Sequence, residues 1–120
     1  MNNAEHIARA YLATWNEVDA TRRKALLDQY WTEDAIYTDP LMSGAGSIEI
    51  DQLIAGVQQR FPGFIFELKG QPDGHGSHLR FSWTLGPEGV EAPIEGTDYV
   101  FVQASRIARV AGFLDKVPAA

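Results

Sequence analysis

Three polar residues stand where the sequence would let them do chemistry: Asp39, Asp98 and Tyr11. Asp39 follows Tyr37 and precedes a proline, in Tyr37-Thr38-Asp39-Pro40. An aspartate before proline commonly serves as a turn residue or cap. At the mouth of a pocket the same carboxylate can remove a proton as a general base. Asp98 falls in the alternating row Ile94, Gly96, Asp98, Val100, where a carboxylate is expensive unless it is paired or protonated. Backbone donors or an arginine such as Arg80 would satisfy it. Tyr11 shares a helical face with Ile7, Trp15 and Val18, so the pattern makes it a core aromatic, or a hydroxyl donor if a pocket opens beside it.

Other chemistry is missing. Gly44-Ala45-Gly46 and Gly74-His75-Gly76 lack the remaining positions of a dinucleotide or phosphate-binding loop, and no Gly-x-Ser-x-Gly elbow occurs. The chain has no cysteine, which removes disulfides, thiolate catalysis and cysteine-based metal sites. His75 and His78 stand three apart in a Gly-rich turn and read as loop histidines rather than as ligands. The expectation is therefore no metal and no cofactor.

The elements that must position these residues change character halfway along. Asn2 with Glu5 three residues on makes a capping box for a first helix, and Asp19–Thr21 breaks the chain and caps a second. Leu26, Leu27, Tyr30 and Trp31 mark one face of that second helix. The segment 33–40 is a brief strand ending in a turn. Ser47 caps a third helix bearing Ile50, Leu53, Ile54, Val57 and Phe61, which Pro62-Gly63 stops. Strand-like runs follow at 64–69, 78–85, 94–103 and 106–114, and their short connectors favour antiparallel neighbours. Helices first and strands afterwards predict an α+β fold, three helices packed on a strongly curved antiparallel sheet. In the run 94–103, Tyr99 and Phe101 face away from the aliphatic row. That two-sided apolarity predicts a homodimer through the outer sheet face.

The 120 residues suffice for a single domain, 1–120, and 45% hydrophobic residues suffice for one core. Ten Lys and Arg against sixteen Asp and Glu leave a net charge of −6, which opposes binding to nucleic acid or to an anionic membrane surface. The first residues lack the features of a secretory signal and no apolar run is long enough to cross a bilayer, so a cytoplasmic location is expected.

Several stretches together resemble a known family. Tyr11-Leu12-x-x-Trp15-Asn16-x-x-Asp19 and Asp34-Ala35-Ile36-Tyr37-Thr38-Asp39-Pro40 resemble the SnoaL-like branch of the nuclear transport factor 2-like superfamily. The segments Arg80–Pro87, Gly96-Thr97-Asp98 and Arg106–Asp115 are similar to its uncharacterised bacterial members, so the likeness spans nearly the whole chain. It implies a cone-shaped fold around a pocket, a fold that hosts isomerases, cyclases, hydrolases, dehydratases and non-catalytic modules. Among ketosteroid isomerases, whose protonated aspartic acid is a known case of a neutral carboxyl donor, the resemblance sets Asp39 at the general base. It sets Tyr11 at the oxyanion tyrosine and Asp98 near the protonated acid. Trp15, Trp31, Tyr37, Val57 and Val100 would wall the pocket, the two tryptophans making it narrower and flatter than a steroid needs.

Three functions follow as expectations. The first is a cofactor-independent isomerase- or cyclase-like enzyme moving a proton on a small apolar carbonyl compound. The second is a non-catalytic binder of a small hydrophobic molecule, and the third a dimeric interaction module built on Tyr99 and Phe101. The enzyme needs the carboxylates, the binder only the pocket, the module only the outer face.

Overall fold

Helix α1 (Asn3–Asn16) buries Ile7, Ala8, Tyr11, Leu12 and Trp15 on the face that its period of four and three sets out. The computed structural model describes residues 3–118, so the cap expected at Asn2 lies outside the described residues. Val18, expected on the same face, lies past the helix end and is exposed. The helix stops at Asn16 because that side chain turns to the sheet. It donates to the Phe66 carbonyl at 2.9 Å and accepts the Phe66 N–H at 2.8 Å. Asp19 then caps helix α2 (Ala20–Tyr30), its carboxylate accepting the Arg22 N–H at 2.9 Å. Trp31, expected on the second helix, is instead the first residue of strand β1 (Trp31–Thr38), extended and fully buried.

After the turn at Asp39-Pro40 comes a short strand β2 (Ser43–Ala45), then helix α3 (Gly46–Arg60). Ser47 does not cap this helix. The boundary residue is Ala45, and Glu49 reaches back to accept its N–H at 2.8 Å. Arg23, only 4% exposed, ties the three helices together. It donates to Asp51 on α3 at 2.6 Å and to the Glu17 carbonyl at 2.8 Å. Gln58 completes the knot by donating to the Trp15 and Glu17 carbonyls at 3.0 and 2.8 Å. The backbone at Trp15 is thereby fixed.

Strands β3 (Phe64–His75), β4 (His78–Pro87), β5 (Ile94–Gln103) and β6 (Arg106–Lys116) form an antiparallel meander. The first is longer than expected because a register shift between Lys69 and Asp73 lets it continue to His75. The six strands run in the order β2-β1-β6-β5-β4-β3. One pair departs from the all-antiparallel expectation: β1 lies parallel to β6, with Tyr37 beside Val110. The two are joined by α3 and four further strands, ample chain for the crossover that a parallel pair needs. The result is three helices on a curved mixed sheet, an α+β fold. On β5 the row Ile94, Asp98 and Val100 is buried as expected, while Tyr99 and Phe101 are 46% and 36% exposed; Phe81, Trp83 and Leu85 on β4 are buried beside that row. No helix among the described residues is long and apolar enough to cross a membrane.

Candidate functional site

Between the helices and the open end of the sheet lies a cavity of about 360 Å³. Trp15 from α1, Val57 from α3, Phe66 from β3 and Trp83 from β4 form its apolar walls. Tyr11, Tyr37, Asp39 and Asp98 supply its polar groups, and Leu41, Met42, Arg60 and Phe61 border it from the loop and helix side. The volume is near the lower end of the roughly 300–1,000 Å³ usual for ligand sites.

Gly112 on β6 shows how tightly the polar groups converge. It is the cross-strand partner of Asp98, and a methyl group built on it would stand 2.8 Å from Asp98 Oδ1. The same methyl would be 3.2 Å from Asp39 Cβ and 3.5 Å from the Tyr37 hydroxyl. Only a residue without a side chain leaves this space open. Gly96 does the same for Trp83, whose indole ring would lie 2.3 Å from a methyl at that position.

The two aspartates have opposite surroundings. Asp39 is half-buried and held by three donors: Oδ1 accepts the N–H groups of Leu41 and Met42 at 2.8 and 2.9 Å, and Oδ2 accepts the Tyr37 hydroxyl at 2.7 Å. The turn role of an Asp-Pro pair is thus realised. Asp98 is 1% exposed, and its Oδ1 has no hydrogen-bond partner among the described residues. Arg80 does not satisfy it, because β4 alternates and Arg80 points outward to Asp73 at 3.3 Å. Burial pushes the Asp98 carboxyl up to about 6. The Tyr11 hydroxyl and the Trp83 indole beside it pull the other way, while the Asp39 charge adds to the rise.

Tyr11 is held well above the ordinary phenol range by burial first and by the Asp98 charge next, so its hydroxyl remains a proton-bearing donor. Tyr37 is raised likewise, by burial, by Asp98 and by its bond to Asp39. Trp31 stacks on the far side of Tyr11 at 5.4 Å and donates its N–H to Thr14 Oγ1 at 3.2 Å. It therefore backs the tyrosine and does not line the cavity. Val100 is also in the packed core, one inward position along β5 from Asp98, and not among the cavity walls.

The structure thus brings together Tyr11, Trp15, Tyr37, Asp39, Val57 and Asp98 from the sequence expectations, and leaves Trp31 and Val100 outside. Sequence reasoning missed Phe66, Trp83 and Gly112. Trp83 alternates with polar residues on β4, a pattern that by itself marks only an inward-facing apolar residue. Its signal was a glycine opposite it, and that signal appears only once the strand register is known. His75 and His78 lie together, ring centroids 5.8 Å apart, on the outside of the sheet. No cluster of three His, Asp or Glu among the described residues could hold a metal ion.

Comparison with known proteins agrees with this fold. A solved structure from Agrobacterium tumefaciens, a proposed isomerase of the SnoaL-like family, is 46% identical to this chain. It superimposes with a TM-score of 0.91 over 96% of this chain and 99% of its own. A proposed ketosteroid isomerase from Kribbella flavida (18% identity, TM-score 0.71, 98% of this chain and 82% of that one) shares the fold. So does a proposed polyketide cyclase from Sinorhizobium meliloti (14% identity, TM-score 0.71, 93% and 99%). No family model and no curated protein matches the sequence.

Proposed function

The chain belongs to the SnoaL-like family, and from that premise we propose that its cavity moves a proton on a small apolar carbonyl compound without a cofactor, in an isomerase- or cyclase-like reaction. One observation carries the proposal. A buried carboxyl whose Oδ1 lacks a hydrogen-bond partner among the described residues lines an apolar cavity, beside a tyrosine hydroxyl held in its protonated form.

The roles differ from those the resemblance implies. Asp39 was expected to be the base, but three of its roughly four lone-pair sites are taken by donors, which weakens it as a proton acceptor. Its task is to fix Tyr37 and the loop at Leu41 and Met42. Asp98 was expected to be a neutral donor. With its free Oδ1 and a pKa near 6 it is suited instead to accept and return a proton near neutrality. In the reaction, Asp98 Oδ1 takes a proton from the carbon next to a carbonyl. The carbonyl oxygen gains negative charge and is met by the Tyr11 hydroxyl, which turns its proton from Asp98 as that carboxyl becomes protonated, on a ring already held by Trp31 and Phe81. Asp98 then returns the proton to another carbon, or to the same one.

The pH dependence separates the two assignments. A base with a pKa near 6 makes the rate rise as pH passes upward through 6, whereas a protonated donor makes it fall. Deuterium exchange at the α-carbons of 2-tetralone, followed by NMR between pH 5 and 8, reads this directly. A rising limb supports Asp98 as base. No acceleration at any pH would leave the binding-protein reading in its place. On the outer face, the exposed Tyr99 and Phe101 border an open groove together with Ile36 and Arg109, and this favours a second copy of the chain as its partner.

A further inference from the structure

Five buried side-chain polar atoms lack a hydrogen-bond partner among the described residues, and three of them belong to residues lining the cavity: Trp15 Nε1, Trp83 Nε1 and Asp98 Oδ1. The two indoles are 3% and 7% exposed. An unpaired buried donor costs roughly 1–3 kcal/mol, and buried tryptophans normally find an acceptor. The third tryptophan follows that rule, bonding to Thr14. Phenylalanine would fill either wall without the penalty.

We propose that Trp15 and Trp83 anchor the ligand through their indole N–H groups, so that the cavity takes an unsaturated compound of one or two rings bearing two oxygen acceptors. The inference rests on the cavity being a ligand site, as argued above. Indole nitrogen only donates, so each ligand oxygen must accept. The donors come from different layers, helix α1 and strand β4, with the Phe66 ring between them at 5.6 Å from Trp15 and 5.2 Å from Trp83. Each therefore takes its own oxygen. Trp83 lies close enough for its indole to pull the Asp98 carboxyl down, yet its Nε1 and Asp98 Oδ1 do not meet in a well-formed hydrogen bond. A ligand hydroxyl or enol seated there would accept from Trp83 and donate to Asp98, satisfying both. The apolar, aromatic remainder of the wall fits a flat ring, and a cavity of about 360 Å³ limits its size. A mono-ketone would leave one indole unpaired and should bind about tenfold more weakly.

The chain has three tryptophans, so a nitrogen-15-labelled sample gives three indole N–H signals, with Trp31 as the internal control. The probes are 1,2- and 1,4-naphthoquinone, with 1-tetralone as the one-carbonyl counterpart, and the Gly112 backbone amide reports occupation of the cavity. The expected result is a downfield shift of the Trp15 and Trp83 indole protons with at least one quinone while Trp31 stays fixed. 1-Tetralone should move at most one of them. Trp15→Phe and Trp83→Phe should each weaken quinone binding about tenfold, as the loss of one hydrogen bond to a buried group implies. A shift at Gly112 with both indoles unmoved for both quinones overturns this proposal and leaves the proton-transfer reading standing. No shift at Gly112 with any probe overturns both.

Discussion

Asp98 is the residue on which the account turns, and its cost to the fold is measurable. Because the folded carboxyl is raised from 3.8 to about 6, the native state binds the proton more tightly than the unfolded chain. Its favourable contribution is complete below pH 3.8 and is lost as pH rises through 6. The shift corresponds to about 3 kcal/mol. Relative to wild type, Asp98→Asn should therefore gain on the order of 3 kcal/mol between pH 3 and pH 8, as urea denaturation at the two pH values would show. Equal effects at both would mean an ordinary acidic pKa at Asp98. A functional group that costs stability is a familiar trade. Gly112 supplies the second test at this scale. A methyl there would crowd Asp98 Oδ1 at 2.8 Å. Gly112→Ala should fold with a penalty of about 1–3 kcal/mol, as overpacking does. It should also lose most ligand binding, measured by calorimetry with 1-tetralone. Undiminished binding would show that the ligand space lies elsewhere.

At the scale of elements, the pattern was legible where a single strong periodicity or cap decided it. The faces of α1, α3 and β5 read correctly because 3.6- and 2-residue periods each leave one face apolar. What failed did so for physical reasons. Trp31 continued the helical stripe and is a strand residue, because apolar spacing cannot mark where one period gives way to the other. The parallel β1–β6 pair was invisible because it joins segments far apart in sequence. Asp98 was legible as an inward carboxylate. Its neighbours Gly112 and Trp83 were not, since they depend on the register between strands. That register between β5 and β6 is set by the two-residue turn Ala104-Ser105, whose φ values of 52° and 63° are left-handed at both positions. Non-glycine residues are strained there, and asparagine followed by glycine suits such a turn. Replacing the pair with Asn-Gly should stabilise the protein by about 1 kcal/mol, raising the melting temperature by several degrees. An unchanged or lower melting temperature would argue against this turn geometry.

For the whole molecule, the helices cover one face of the sheet and the other face is left with Tyr99, Phe101 and Phe113 exposed. Tyr99 and Phe113 pack edge to face at 5.6 Å, a surface aromatic pair rather than scattered apolar residues. A second copy would cover it, and because Phe113 also borders the cavity, pairing would reach the rim of the ligand site. Tyr99→Glu places a charge in that face without touching the cavity. In light scattering at micromolar concentration, wild type should have twice the mass of the chain and the variant once. A monomeric wild type would remove the dimer.

The central claim, that Asp98 and not Asp39 transfers the proton, is tested most directly by α-carbon deuterium exchange of 2-tetralone with the two near-isosteric variants side by side at pH 7.5. Losing a general base typically costs about a hundredfold to ten-thousandfold in rate. The account predicts that loss for Asp98→Asn. For Asp39→Asn it predicts only a modest reduction, since the amide still accepts from the Leu41 and Met42 N–H groups. Exchange that survives in Asp98→Asn and collapses in Asp39→Asn would contradict it, and would return the base to Asp39.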